Sequence, residues 1–460
     1  MTGNRKLVKE IIILIIPAII EYSFQALVNY ADFIMVGKLG IEASATIGIT
    51  NEVTFLIKAG VNALGVGVLA YMAKEIGAGN RGKLRNATLH AYFLALVVGI
   101  FTTAIPLIIS PYLPVFLGAA EDIRRPASMY FSICSSMGIF FAFNVTAGSI
   151  RKADKDMVTP LLVNGFINIL NVILNWFLIY PDKKVSFSVM EINIRRGNLG
   201  VMGAAYATAI ATMTGGILML FFNEKHKDTA MIAKADIKDN FLRAEGKEII
   251  GQYILVGIPA FLTSVVTSLG RVIFTAMVVP LGTEIYAAHS IAFTAESAFY
   301  IPAVGMASAV ASLSGNVRGE GNLKKLNRQT NMVCVIIVFI MMIATGILLI
   351  CADEIISFFT NDAGALILAP KLLRIVAINE PMFGISIVMQ NVFNGIGKTK
   401  IPLVVSGFTQ WFVRVLGVFI FVHVLGFGIE IAWICMISDN ILRAILLYGW
   451  YWADNKRILA

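Results

Sequence analysis

Asp32 ends a long apolar run that also contains Pro17. It lies fifteen residues beyond that proline, about 22 Å along a helix at roughly 1.5 Å per residue. Proline removes one backbone hydrogen bond, so a helix can kink at Pro17. Low dielectric disfavours the charged form of a carboxyl group. A carboxyl so placed suits the uptake and release of a proton; the competing reading is a solvated interfacial residue. A later apolar segment carries Asn164, Asn168, Asn171 and Asn175. Spacings of four, three and four put these amides on one helical face. They need partners, either a neighbouring helix, water or a carboxyl such as that of Asp32. Other ionisable residues interrupt apolar segments: Glu21, Glu52, Lys58, Arg271, Glu296, Glu380, Arg414, Asp439 and Arg443. Ionisable groups in such places are functional or paired. Lys58, Arg271, Glu296, Glu380 and Arg414 carry both signs, so they either form internal salt bridges or line a polar cavity. The four cysteines and four histidines are dispersed. That pattern supports no disulfide framework, metal site or catalytic nucleophile–base pair.

These residues sit in a chain that is 58% hydrophobic and only 14% charged over 460 residues. Soluble proteins carry about 25% charged residues, and a membrane-spanning helix needs about 20 apolar ones. The chain reads as an all-α integral membrane protein with twelve spans, from 11–36 and 46–73 through to 431–452. The first apolar segment lacks a small-residue cleavage site and reads as a span, not a signal peptide. Lys and Arg concentrate in alternate loops, including Arg5/Lys6/Lys9, Lys74–Arg85, Arg151–Lys155 and 223–248. The positive-inside rule makes those loops and both termini cytoplasmic, in a cell inner (plasma) membrane. The net charge of +9 belongs to these loops and does not signal nucleic acid.

The chain is also written twice, at a constant offset of 242 residues. Pro17 is matched by Pro259, Leu39-Gly40 by Leu281-Gly282, Gly77-Ala-Gly79-Asn80 by Gly319-Glu-Gly321-Asn322, and Pro160-Leu161 by Pro402-Leu403. Six spans per half give both halves one orientation, a parallel repeat about a pseudo-two-fold along the membrane normal. The expected domains are an N-terminal lobe at 1–222, a charged cytoplasmic linker at 223–248 and a C-terminal lobe at 249–460. The halves differ at 181–198, an outside loop able to form a small hairpin. They also differ in chemistry: Phe274 stands at the place of Asp32, Val413 at that of Asn171, Gly417 at that of Asn175, and Asn29 at that of Arg271.

Gly77-Ala-Gly79-Asn80-Arg81-Gly82-Lys83-Leu84 comes near a phosphate-binding loop. It has Leu84 where a Ser or Thr would hold Mg²⁺, and it follows a span instead of a strand. Gly397-Lys398-Thr399 lacks the upstream glycine, with Val392 there. No ATP site is expected, and the glycines read as helix-ending turns.

Val28-Asn29-Tyr30-Ala31-Asp32-Phe33-Ile34-Met35-Val36-Gly37, the Gly77-Ala-Gly79-Asn80 turn, and Asn171-Val-Ile-Leu-Asn175-Trp176 together resemble the multidrug and toxic compound extrusion (MATE) transporters. So do Gly200-x-x-Gly203 leading to Thr208, Ala287-Ala288-His289, and Ile301-Pro302. The resemblance covers nearly the whole chain. It implies two six-helix lobes around a V-shaped central cleft, alternating access, and efflux coupled to H⁺ or Na⁺. It implies a first-lobe cation site at Asp32, Asn171, Asn175 and Thr208, with one carboxyl fewer than in members that have Asp at position 175. The acids that many members carry in the seventh and tenth spans are replaced here by Thr267 and Phe383, with Glu380 nearby, a pattern closer to the DinF-like branch.

The resulting expectation is a non-enzymatic antiporter, with H⁺ favoured over Na⁺. Protonation of Asp32 would bend the first helix at Pro17 and drive export of a small organic substrate. The candidate substrate cleft is Gln25, Asn29, Lys58, Arg271, Glu296, Glu380 and Arg414. The expected surroundings are a lipid bilayer and a monomeric state, without ATP, nucleic acid, cofactor or metal. The alternative is a lipid-linked precursor flippase of the same superfamily, whose peptidoglycan-precursor branch has fourteen spans.

Overall fold

Long apolar runs fold into long helices, and the sequence marks where they end. The computed structural model describes residues 2–187, 190–194, 196–225, 244–360 and 362–459. The first half holds α1 (Thr2–Gly37), α2 (Ile41–Gly77), α3 (Arg81–Ile109) and the short α4 (Leu113–Phe116). It continues with α5 (Glu121–Ser135), α6 (Gly138–Ala153), α7 (Val158–Ile179) and α8 (Val201–Glu224). The second half holds α9 (Ala244–Val278), α10 (Thr283–Phe299), α11 (Ile301–Gly319), α12 (Leu323–Ile350) and α13 (Ala352–Phe359). It ends with α14 (Ala363–Ala377), α15 (Glu380–Gly395), α16 (Lys400–Phe408), α17 (Leu416–Val418) and α18 (Ile429–Leu459). Strands β1 (Lys183–Phe187) and β2 (Met190–Ile194) pair antiparallel with Lys183 opposite Ile194, forming a hairpin in the 181–198 loop.

Among the described residues, nine helices are long and apolar enough to cross a membrane, and three bent pairs bring the total to twelve spans. Each of those three corresponds to one span expected from the sequence, and each is bent: α5 meets α6 at 42°, α10 meets α11 at 45°, and α14 meets α15 at 56°. Pro302 and Pro381 explain two of the bends, since each sits in the first turn of the following helix, where a missing N–H is harmless. The third falls at Gly138, where a side chain would collide with Thr102 and Thr103 of α3. The eleventh span departs differently. It is π-helical over Thr409–Val415 and Phe419–Val424, a form found mostly as short bulges, often at functional sites.

The shared glycines end helices and let them approach. Gly79 and Gly321 have φ of +77° and +71°, the left-handed conformation that closes a helix without a Cβ penalty. The phosphate-loop look-alike is therefore the turn between α2 and α3. A Cβ on Gly77 would collide with the Asn316 carbonyl, and one on Gly319 would collide with the Lys74 carbonyl. The two contacts are the same contact, related by the repeat offset.

By contacts the described residues form two compact units. One contains 1–19, 69–79 and 255–460; the other contains 20–68 and 80–254. The boundary thus passes through α1 and α2, because the end of α2 packs on α11 through Gly77 and Gly319. Most of the 223–248 segment lies outside the described residues. In the first unit, Trp433, Phe274, Ile356 and Leu372 centre a buried apolar cluster.

Gly77→Ala is expected to destabilise the protein by ~1–3 kcal/mol through overpacking. Gly48→Ala, where a methyl meets nothing within 4 Å, should be neutral or stabilising by up to ~1 kcal/mol from helix propensity. Melting temperatures in detergent check both.

Candidate functional site

The α7 amides meet α1 and α8 within one unit. Small residues set the α7–α8 distance: Gly203, Ala204, Ala205 and Ala207 are buried, and a side chain at 203 would strike the Leu178 carbonyl. Close backbones of this kind are how helices associate in lipid. The approach brings Asn171 Nδ2 to 3.4 Å from Thr208 Oγ1. At the end of α1, the Tyr180 hydroxyl donates to the Met35 carbonyl at 2.9 Å. Val36, Ile179 and Ala204 pack beneath it.

Asp32 is thereby held against α7. Asn175 Nδ2 donates to Asp32 Oδ1 at 2.6 Å and lies 3.2 Å from Asn171 Oδ1. Turning the Asn171 amide over places its nitrogen 3.0 Å from both Asp32 carboxylate oxygens. Asn171 and Asn175 are buried, and Asn175 Oδ1 has no donor. An ionised Asp32 can accept from both amides. A protonated Asp32 loses the charge that strengthens these bonds.

The same pattern recurs one rung lower. Asn164 Nδ2 donates to Glu21 Oε1 at 2.6 Å, and Lys152 Nζ lies 3.0 Å from both Glu21 oxygens. Asn144 Nδ2 donates to Asn164 Oδ1 at 3.3 Å. Glu21 and Asn164 stand the same distance apart in sequence as Asp32 and Asn175. Helices α1 and α7 therefore run side by side in the same direction, and two α7 amides hold two α1 carboxyls. Neither Glu21 nor Asn164 is among the site residues expected from the sequence. The signal was available: the eleven-residue gap from Glu21 to Asp32 equals that from Asn164 to Asn175.

The seven candidate cleft residues divide between the units. Gln25, Asn29 and Lys58 lie in the unit of Asp32 and are exposed; the Lys58 ammonium stands 5.6 Å from the Phe141 ring centre. Arg271, Glu296, Glu380 and Arg414 lie in the other unit. Arg271 is exposed and donates to Ser268 Oγ at 3.3 Å. Glu296 and Glu380 are buried, and Glu296 Oε2 and both Glu380 carboxylate oxygens lack a donor. Arg414 is committed elsewhere. Its Nε lies 2.9 Å from Asp439 Oδ2, and its Nη2 donates to Asn440 Oδ1 at 3.2 Å. Arg443 grips the same carboxylate at 2.7 and 2.9 Å and donates to Gln410 Oε1 at 3.1 Å. Asp439 is fully buried. Arg414 thus forms a buried triad with Asp439 and Arg443, the internal salt bridge that the mixed signs allowed for. Pro17 lies inside a continuous α1, two residues before the contact boundary.

Buried carboxyls on helices long and apolar enough to cross a membrane, in a twice-repeated bundle of up to twelve spans, fit a secondary transporter, the class that the family match gives. Among the described residues no three His, Cys, Asp or Glu side chains gather to hold a metal. The MatE family model matches residues 17–177 and 259–420. The chain belongs to that family, with one copy of the family module in each half. It is 26% identical over 438 residues to the probable multidrug resistance protein NorM of Thermotoga maritima, covering 95% of this chain and 90% of that one. Its fold matches a MOP superfamily transporter from Pyrococcus furiosus, with a TM-score of 0.88, 24% identity and coverage of 98% and 96%. An outward-facing multidrug resistance MATE family transporter matches equally, at 0.88, 24%, 98% and 96%.

Asp439→Asn leaves two buried guanidinium groups short of a counter-charge and is expected to cost ~3–5 kcal/mol. A melting temperature close to the parent's would contradict the triad's structural role.

Proposed function

We propose that this protein is a cation-coupled antiporter, driven by H⁺ in preference to Na⁺, that exports small organic compounds by alternating access. It would lie in the plasma membrane as a monomer with both termini cytoplasmic. The observation that carries this reading is the Asp32 carboxyl held by Asn175 and reachable by Asn171. Its Thermotoga relative is named a probable multidrug resistance protein.

Hydrogen bonds to a charged acceptor contribute about 1.5–3 kcal/mol and neutral ones about 0.5–1.5 kcal/mol. Protonating Asp32 therefore weakens the hold of α7 on α1 by roughly 1–1.5 kcal/mol, about tenfold in a two-state equilibrium. Glu21, paired with Lys152, keeps the lower rung closed while the upper rung changes. Pro17, below both rungs and without a backbone donor, is where α1 gives way. A substrate that prefers one of the two α1 states is then coupled to the proton, since a ligand moves an equilibrium only by its differential affinity.

Asp32→Asn should abolish export driven by a pH gradient in proteoliposomes while leaving folding intact. Export by that variant at the parent's rate would sink the mechanism. Parent transport driven equally by a Na⁺ gradient at fixed pH would replace H⁺ as the coupling ion.

A further inference from the structure

Helix α7 has two faces. One carries the amides 164, 168, 171 and 175; the opposite one carries Leu162, Phe166, Ile169, Ile173 and Phe177, all exposed. Spacings of four, three, four and four make this second set a continuous apolar stripe along the span, and in a membrane it faces hydrocarbon. At the end next to the α1–α2 turn the stripe runs into a groove of about 680 Å³. Met35 of α1 and Val172, Ile173 and Phe177 of α7 line its apolar part. Lys38, Trp176, Tyr180 and Arg196 line its polar end.

The polar end is built for an anion. The Arg196 guanidinium stacks on the Trp176 ring, 3.7 Å from its centre. This fixes its plane, and stacking on Trp is a geometry that Arg favours. Its Nε and Nη2 are shielded from water and have no hydrogen-bond partner. Asp182, the nearby acid, accepts instead from the Arg196 backbone N–H at 2.6 Å. Lys38, directly after the last residue of α1, is exposed on the same rim. Two cations thus border one end of an apolar channel. A guanidinium is a cation well suited to phosphate oxygens. Trp176 and Tyr180 mark the level of the headgroups, where both residue types concentrate.

We propose that this groove holds one anionic phospholipid of the leaflet that meets the α1–α2 turn. Its phosphate lies between Arg196 and Lys38, and an acyl chain follows Ile173, Ile169 and Phe166 along α7. Lys38 and Arg196, offset in part by Asp182, leave a positive rim that would repel the ammonium of a zwitterionic headgroup. The groove therefore selects a headgroup with net negative charge, such as that of phosphatidylglycerol. The bound lipid touches both α1, at Met35, and α7. It adds to the cohesion of the two helices next to Asp32. This assignment needs only that the chain spans a membrane and is independent of the coupling ion.

The test uses the full-length protein in detergent, with phosphatidylglycerol, phosphatidylcholine or inorganic phosphate added. Native mass spectrometry counts retained lipid, and thermal melting reads stabilisation. The parent should retain phosphatidylglycerol in preference to phosphatidylcholine and melt higher with it. Lys38→Gln with Arg196→Gln should lower phosphatidylglycerol affinity about tenfold or more, with the lipid-free melting temperature unchanged. Arg196→Lys, which keeps the charge but loses the fork, should fall between the two. Equal retention of both lipids, unchanged binding by the double variant, or displacement of the lipid by millimolar inorganic phosphate would each overturn the proposal. A double variant that melts lower without lipid yet gains as much from phosphatidylglycerol as the parent would reduce Arg196 to a clamp on Trp176 and overturn it too.

Discussion

A carboxylate withdrawn from water must find donors, and in α1 two carboxylates find them on one face of α7. Much of the first half follows from this requirement. The amides of α7 must keep a helical spacing that matches the carboxyls of α1. Helix α8 must present small residues so that it can approach α7 and bring Thr208 near Asn171. The end of α1 must be pinned, which the Tyr180–Met35 hydrogen bond does. Each rung is worth more than a hydrogen bond in water, because a lost partner leaves a buried charge unmet.

The two α1 carboxyls differ in their company. Glu21 has the Lys152 ammonium beside it and is an ion pair. Asp32 is held by the amides of Asn175 and, with its amide turned, Asn171. In the proposed coupling the ion-paired rung would serve as the fixed point, the Asp32 rung as the variable one, and Pro17 as the hinge.

The sequence showed part of this arrangement and hid the rest for definite reasons. The amide stripe was readable because four-three-four spacing is a local property of a helix. The proximity of Asp32, Asn171, Asn175 and Thr208 was expected from the resemblance, not from spacing. The ion pair of Glu21 with Lys152 joins residues far apart in the chain, and no periodicity in either segment points to the other. Arg414 shows the same limit. Its partner Asp439 lies on the next span, and no local spacing pairs the two. Pro302 and Pro381 were visible as prolines, but whether a proline kinks a helix or starts a new one depends on the neighbours. Gly138 gave less warning still, since its bend depends on the side chains of α3.

The reciprocal meeting of Gly77 with Asn316 and Gly319 with Lys74 has the form of an isologous interface. In a symmetric dimer, residue i of one subunit touches residue j of the other, and j touches i in return. Here both subunits are one chain. A methyl group added in either half would press on the other half's copy of the same turn. Neither glycine could therefore drift while its partner stayed. Asp32 and Phe274 carry no such mutual constraint. A duplicated gene can thus give up half of its chemistry and still be obliged to keep this pair of glycines.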